Sequence, residues 1–89
     1  MVRLFVRHSV DDYASWRNAY DDFDTVRAQL GVVDKAVYRT AGDPNNVTVT
    51  HDFESLDSAK AFADSDDLKA AMKAAGVTGG VEIWFGEPA

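Results

Sequence analysis

The chain contains no cysteine, so no disulfide can staple it and no thiolate can act as nucleophile or metal ligand. Lysine and arginine number only nine against fifteen acids, giving a net charge of −6, and the nine are scattered along the sequence. Recognition of a phosphate backbone needs a concentrated basic surface, which excludes nucleic acid as a partner. No apolar run approaches the roughly 18 residues of a membrane span. The opening Met1-Val2-Arg3-Leu4-Phe5 lacks the charged-then-apolar pattern of a secretory leader, so a cytoplasmic protein that does not touch a membrane is expected. Two prolines and six glycines leave no linker and no low-complexity tract, and residues 1–89 are expected to form a single domain. A domain this short buries only roughly 60–65% of its unfolded surface, a marginal core that a partner subunit would enlarge.

What is present is periodicity. Val2-Arg3-Leu4-Phe5-Val6-Arg7-His8 and Val47-Thr48-Val49-Thr50-His51-Asp52-Phe53 alternate with period two, as half-buried strands do. That alternation places His8 beside Val2, Leu4 and Val6, and His51 beside Val47, Val49 and Phe53, so both imidazoles point toward an apolar layer. A helix is predicted from near Asp11, whose side chain caps it while Asp12 complements its dipole, through to Gly31. Along it Tyr13, Trp16, Tyr20, Phe23 and Leu30 recur at helical spacing as one aromatic stripe, and Arg27 falls on that stripe. A second strand, Val33 to Thr40, is expected to meet the third through a turn at Gly42-Asp43-Pro44-Asn45-Asn46. Two helical pieces follow, capped by Ser55 and Ser65, and Gly76 ends the second. A last strand, Val81 to Phe85, sets Val81, Ile83 and Phe85 on one face and Glu82 and Trp84 on the other.

The order strand, helix, strand, strand, helix, strand, with right-handed crossovers, gives an α+β fold: a ferredoxin-like βαββαβ unit with a four-stranded antiparallel sheet and helices on one face. The other face would carry Phe5 and Trp84 among Arg3, Arg7, Thr48, Thr50 and Glu82. That face is too aromatic for solvent and too polar for a core, and it suits a homodimer interface.

Two readings stand for each candidate site residue. His51 is either a structural histidine bonded to a carbonyl or a neutral imidazole in an apolar pocket, where burial lowers its pKa and leaves it free to act as a base. His8 either ties the end of the first strand to the following helix or touches ligand. Arg27 either snorkels at the helix end or turns inward to hold a phenolate or carboxylate. Trp16, Tyr20 and Phe23 are core or pocket wall. A shared metal ion is excluded by distance. His8 lies near Val47 in the hairpin register, and His51 is four residues on, roughly 13 Å at about 3.3 Å per residue, whereas metal–nitrogen bonds are about 2.0–2.1 Å. Gly76-Val77-Thr78-Gly79-Gly80 follows a helix and precedes a strand, the reverse of a phosphate cradle.

The run His8-Ser9-Val10-Asp11-Asp12-Tyr13-Ala14-Ser15-Trp16, the Asp43-Pro44-Asn45 segment and the stretch from Ser65 to Val77 together resemble the small dimeric α+β-barrel proteins related to antibiotic-biosynthesis monooxygenases, including a cyclase-like subgroup. The resemblance covers nearly the whole chain. It departs at Phe23, where relatives often carry a histidine, and at Gly79-Gly80, where a Gly-Pro or Pro-Pro is more usual. It implies two ferredoxin-like subunits paired sheet to sheet as a dimeric α+β barrel. It also implies oxidation or cyclisation of an aromatic, polyketide-derived small molecule in a pocket between sheet and helices, often with no cofactor. On that expectation His51 is the base, with His8 as the next candidate. Arg27 and Tyr20 stabilise the anion, and Trp16, Phe23 and Phe53 form walls. A non-catalytic binding or dimerisation module is the alternative.

Overall fold

Alternation along β1 (Val2–Val10) is strict: in the computed structural model, which describes residues 1–89, every even-numbered residue of the strand is buried, from Val2 to Val10. The chain continues through α1 (Tyr13–Asp22), α2 (Asp24–Gln29), β2 (Asp34–Thr40), β3 (Asp43–Phe53), α3 (Leu56–Ala63), α4 (Asp66–Ala74) and β4 (Val77–Gly86). The four strands form one antiparallel sheet in the order β2-β3-β1-β4. This is the ferredoxin-like α+β arrangement, with each helical segment divided in two. Leu4 faces His51 and His8 faces Val47 across the central pair, so both histidines lie in the layer beneath the helices.

Three local expectations are corrected. The long helix from Asp11 to Gly31 breaks at Phe23, and Asp12, not Asp11, caps its start by accepting from Ser15 N. The break has an electrostatic reason. Asp21 and Asp22 crowd the negative end of α1, which has no basic residue in its last turn, whereas Asp24 sits at the favourable positive end of α2. The hairpin turns at Ala41-Gly42, with Gly42 at φ +84°, a conformation that costs glycine little. Asp43 to Asn46 instead belong to β3, where the register slips between Arg39↔Val47 and Thr40↔Asp43. Asn45 Oδ1 there accepts the Tyr13 amide at 3.2 Å and ties the slipped segment to the start of α1. Finally, β4 begins at Val77, four residues earlier than expected, and absorbs the extra length in a bulge opposite Arg7 to Ser9 where Gly79 has φ +70°.

The core is Leu4, Val6, Val47, Val49, Phe53 and Phe62, packed with Val2, Val10, Trp16, Tyr20, Ala59 and Leu68. Ser55 and Ser65 cap α3 and α4 through the amides of Ser58 and Leu68, which sets Phe62 and Leu68 facing the sheet. Beyond Val77, which packs against the core, the helices leave β4 largely uncovered. Ile83 and Phe85 on its helix side and Trp84 on its other side all remain more than a third exposed. Trp84 stacks flat on Phe5, with ring centroids 5.2 Å apart.

Candidate functional site

A cavity lies between sheet and helices. Its floor is Val6, His8, Val49 and His51; α1, α2 and the Phe23 between them supply Trp16, Ala19, Tyr20, Phe23 and Arg27; α4 and the residue that caps its end supply Leu68, Ala71, Met72 and Ala75. The free space is about 40 Å³. Of the residues singled out in the sequence, His8, His51, Trp16, Tyr20, Phe23 and Arg27 converge here. Phe53 does not: it is fully buried against Phe62, centroids 5.4 Å apart, and belongs to the core. The α4 wall had no signal in the sequence, because alanine and methionine at helical spacing read as ordinary packing.

The helical spacing of the stripe stacks its members. Trp16 and Tyr20 lie 4.9 Å apart, Trp16 meets the His8 ring at 5.9 Å, and the Arg27 guanidinium sits 3.9 Å from the Tyr20 ring centroid. Arg27 is buried; its Nη2 donates to the Tyr20 carbonyl at 2.7 Å and its Nη1 to Asp24 Oδ1 at 3.3 Å. Five buried polar atoms have no partner within the chain: His8 Nδ1, Tyr20 Oη, Arg27 Nε, and both ring nitrogens of His51. Native structures leave few such groups, each costing about 1–3 kcal/mol when desolvated and unpaired.

Electrostatics follow from that burial. Desolvation, reinforced by the charges of Arg27 and Lys35, pushes His51 from its ordinary 6.5 down to about 3. His51 is therefore neutral near pH 7, with a free lone pair and a free N–H, and it is a weak base while the cavity holds no anion. Burial also lowers His8. The Tyr20 hydroxyl is raised by burial, with Arg27 and Arg17 opposing. Burial lowers Arg27 against the pull of Tyr20 and Asp24, yet a guanidinium stays protonated in proteins. The cavity thus combines apolar walls, one fixed cation and donors or acceptors on three more side chains, a set that suits an aromatic ligand carrying an acidic oxygen.

No family model and no curated protein matches the sequence. Solved structures do match the fold. A provisional antibiotic biosynthesis monooxygenase from Bordetella bronchiseptica superposes with TM-score 0.85 at 15% identity, covering 99% of this chain and 96% of that one. SnoaB, a cofactor-independent oxygenase from Streptomyces nogalater, superposes with TM-score 0.80 at 15% identity over 99% of this chain and 92% of its own. A conserved protein from Methanosarcina mazei Go1 gives 0.77 at 16% identity over 99% and 92%. The chain has the ferredoxin-like α+β fold of the antibiotic biosynthesis monooxygenase structures over nearly its full length.

Proposed function

We propose that the chain binds an aromatic small molecule, of the kind derived from polyketides, in the cavity between sheet and helices and oxygenates it without a cofactor. The observation that carries this reading is the group of unpartnered buried atoms on His51, Tyr20 and Arg27 inside an apolar cavity. A ligand oxygen would satisfy them. The description of SnoaB, which shares the fold, as a cofactor-independent oxygenase supports the reaction class. In this scheme an acidic C–H or O–H of the substrate gives its proton to His51, and Arg27 and Tyr20 hold the resulting anion. The anion supplies the countercharge that the imidazolium lacks in the empty cavity, so base and anion stabilise one another. Dioxygen then bonds to the electron-rich carbon as a peroxide, which loses water as that carbon's remaining hydrogen leaves, giving a carbonyl. A cyclase would use the same base and donors for an intramolecular aldol. Assay of a hydroxylated aromatic with and without dioxygen separates the two: the oxygenase stalls anaerobically and the cyclase does not. The low basicity of His51 favours a second reading, a binding module without chemistry, and a bound ligand recovered unchanged under air supports it.

The same proposal includes a homodimer built on the helix-free face of the sheet, where the stacked Phe5 and Trp84 lie beside the Arg3–Asp52 ion pair and exposed Tyr38. Stable interfaces bury about 1,200 Å² or more in total. Trp84→Glu, which places a charge in the middle of that surface, is expected to convert dimer to monomer or aggregate in size-exclusion chromatography with light scattering. A wild type that is monomeric at micromolar concentration removes the dimer.

A further inference from the structure

Arg27 belongs to two concave surfaces. It lines the cavity, and it also lines a surface cleft of about 330 Å³ with Asp24, Val32, Val33 and Lys35. The carboxylate it pairs with, Asp24, is 57% exposed and also accepts from Lys35 Nζ. One solvent-facing carboxylate therefore serves two cations, and Arg27 Nε is left with no partner at all. Asp34, the other acid at the cleft, directs its carboxylate to the Lys35 amide at 2.9 Å. Lys35 stands opposite His51 in the β2–β3 register, and its Nζ lies 6.0 Å from the Tyr20 ring centroid.

We propose that cavity and cleft are one binding site joined at Arg27, and that it takes a single-ring aromatic oxyanion. The ring fills the cavity, and the charged oxygen replaces Asp24 on Arg27 and Lys35. This rests on the reading of the cavity as a small-molecule site and adds to it the size, charge and placement of the ligand. Size is set by the free space of about 40 Å³. That space admits about three waters and is smaller than the roughly 150 Å³ cavity known to hold benzene, so a single ring is the most it takes and a fused ring system falls outside it. Charge is set by Arg27, buried among apolar and aromatic side chains. An oxyanion that takes Asp24's place on Arg27 Nη1 makes a charge-assisted hydrogen bond to a cation held in a low-dielectric setting, whereas the exposed Asp24 loses only a solvent-screened ion pair when displaced. Asp24 thus occupies the place of the ligand's charge while the site is empty.

The test uses the whole chain with three probes of similar size: 4-nitrophenolate, benzoate and nitrobenzene. Calorimetry reads affinity, and the absorbance of nitrophenol reports whether it is bound as the anion. Asp24→Asn, an exposed and nearly isosteric change, is expected to tighten both anions about three- to tenfold by removing the competing carboxylate, and to leave nitrobenzene unaltered. Lys35→Gln is expected to weaken both anions by a similar factor. A preference for nitrophenolate over benzoate identifies a phenolate site, and the reverse a carboxylate site; both outcomes keep the oxyanion. The proposal is overturned if Asp24→Asn weakens the anions, or if nitrobenzene binds as tightly as they do; either result leaves the cavity standing as a small-molecule site. Binding of a three-ring hydroxyanthracene alone overturns the single-ring assignment and keeps the cavity reading. Failure of all four compounds to bind overturns both.

Discussion

Trp16→Ala is expected to lower the unfolding free energy by about 3–5 kcal/mol, the cost of truncating a large aromatic side chain in a core. At roughly 4–8 °C per kcal/mol for a domain of this size, the fall in Tm is large enough to read in any thermal melt. The expectation follows from the burial of Trp16, only 3% exposed, and from its neighbours: Tyr13 at 5.8 Å, His8 at 5.9 Å and Tyr20 at 4.9 Å between ring centroids. Because the indole also borders the cavity, its removal leaves a void continuous with existing free space. Indole added to the variant is expected to refill that void and recover part of the loss, as apolar ligands do in engineered cavities. A loss below about 1 kcal/mol marks Trp16 as the wall of an open pocket with little part in the core.

The placement of Trp16 was legible because a helix encodes its buried face in spacing, and the strands encode theirs in alternation. Those two periods sufficed for the order of elements, the burial of His8 and His51, and the shared face of Trp16, Tyr20, Phe23 and Arg27, but left open whether Arg27 turns inward. Volume and sharing were not legible. Phe53 alternates onto the same face as His51, yet it lies two residues along β3, beneath Phe62 on α3 and away from the cavity. The α4 wall depends on how far Ala71, Met72 and Ala75 fall short of the sheet, a gap that no pattern in one strand or helix reveals. The Asp24–Arg27–Lys35 junction joins α2 to β2 across the intervening turn, and no spacing within either element signals that the three charges meet. The open faces of β4 likewise arise because α3 packs on β1 and β3 and leaves the edge strand beyond its reach.

His51→Phe separates the structural from the functional histidine, because phenylalanine keeps the ring and removes both nitrogens. A structural histidine would strand a bonded partner, at a cost of about 1–3 kcal/mol. Neither His51 nitrogen has a partner in the chain, so the variant is expected to match or exceed the wild type in stability at neutral pH. Acid sharpens the difference. With the folded pKa held near 3 and the unfolded value near 6.5, unfolding takes up a proton between those limits. Wild-type stability therefore falls as pH drops below 6.5, at up to about 1.4 kcal/mol per pH unit from this group, and the loss from it ends near pH 3. His8, lowered in the same direction, adds to the slope, so His51→Phe is expected to flatten it without abolishing it; denaturant melts from pH 7 to pH 4 measure this. Turnover of an acidic phenolic or dicarbonyl compound is expected to fall by roughly 10²–10⁴ in the variant, the usual worth of a positioned general base. Loss of turnover with stability intact identifies the base. A flattened acid slope with turnover intact leaves His51 a buried passenger and moves the assignment to His8, whose Nδ1 is the other unpartnered imidazole nitrogen in the cavity.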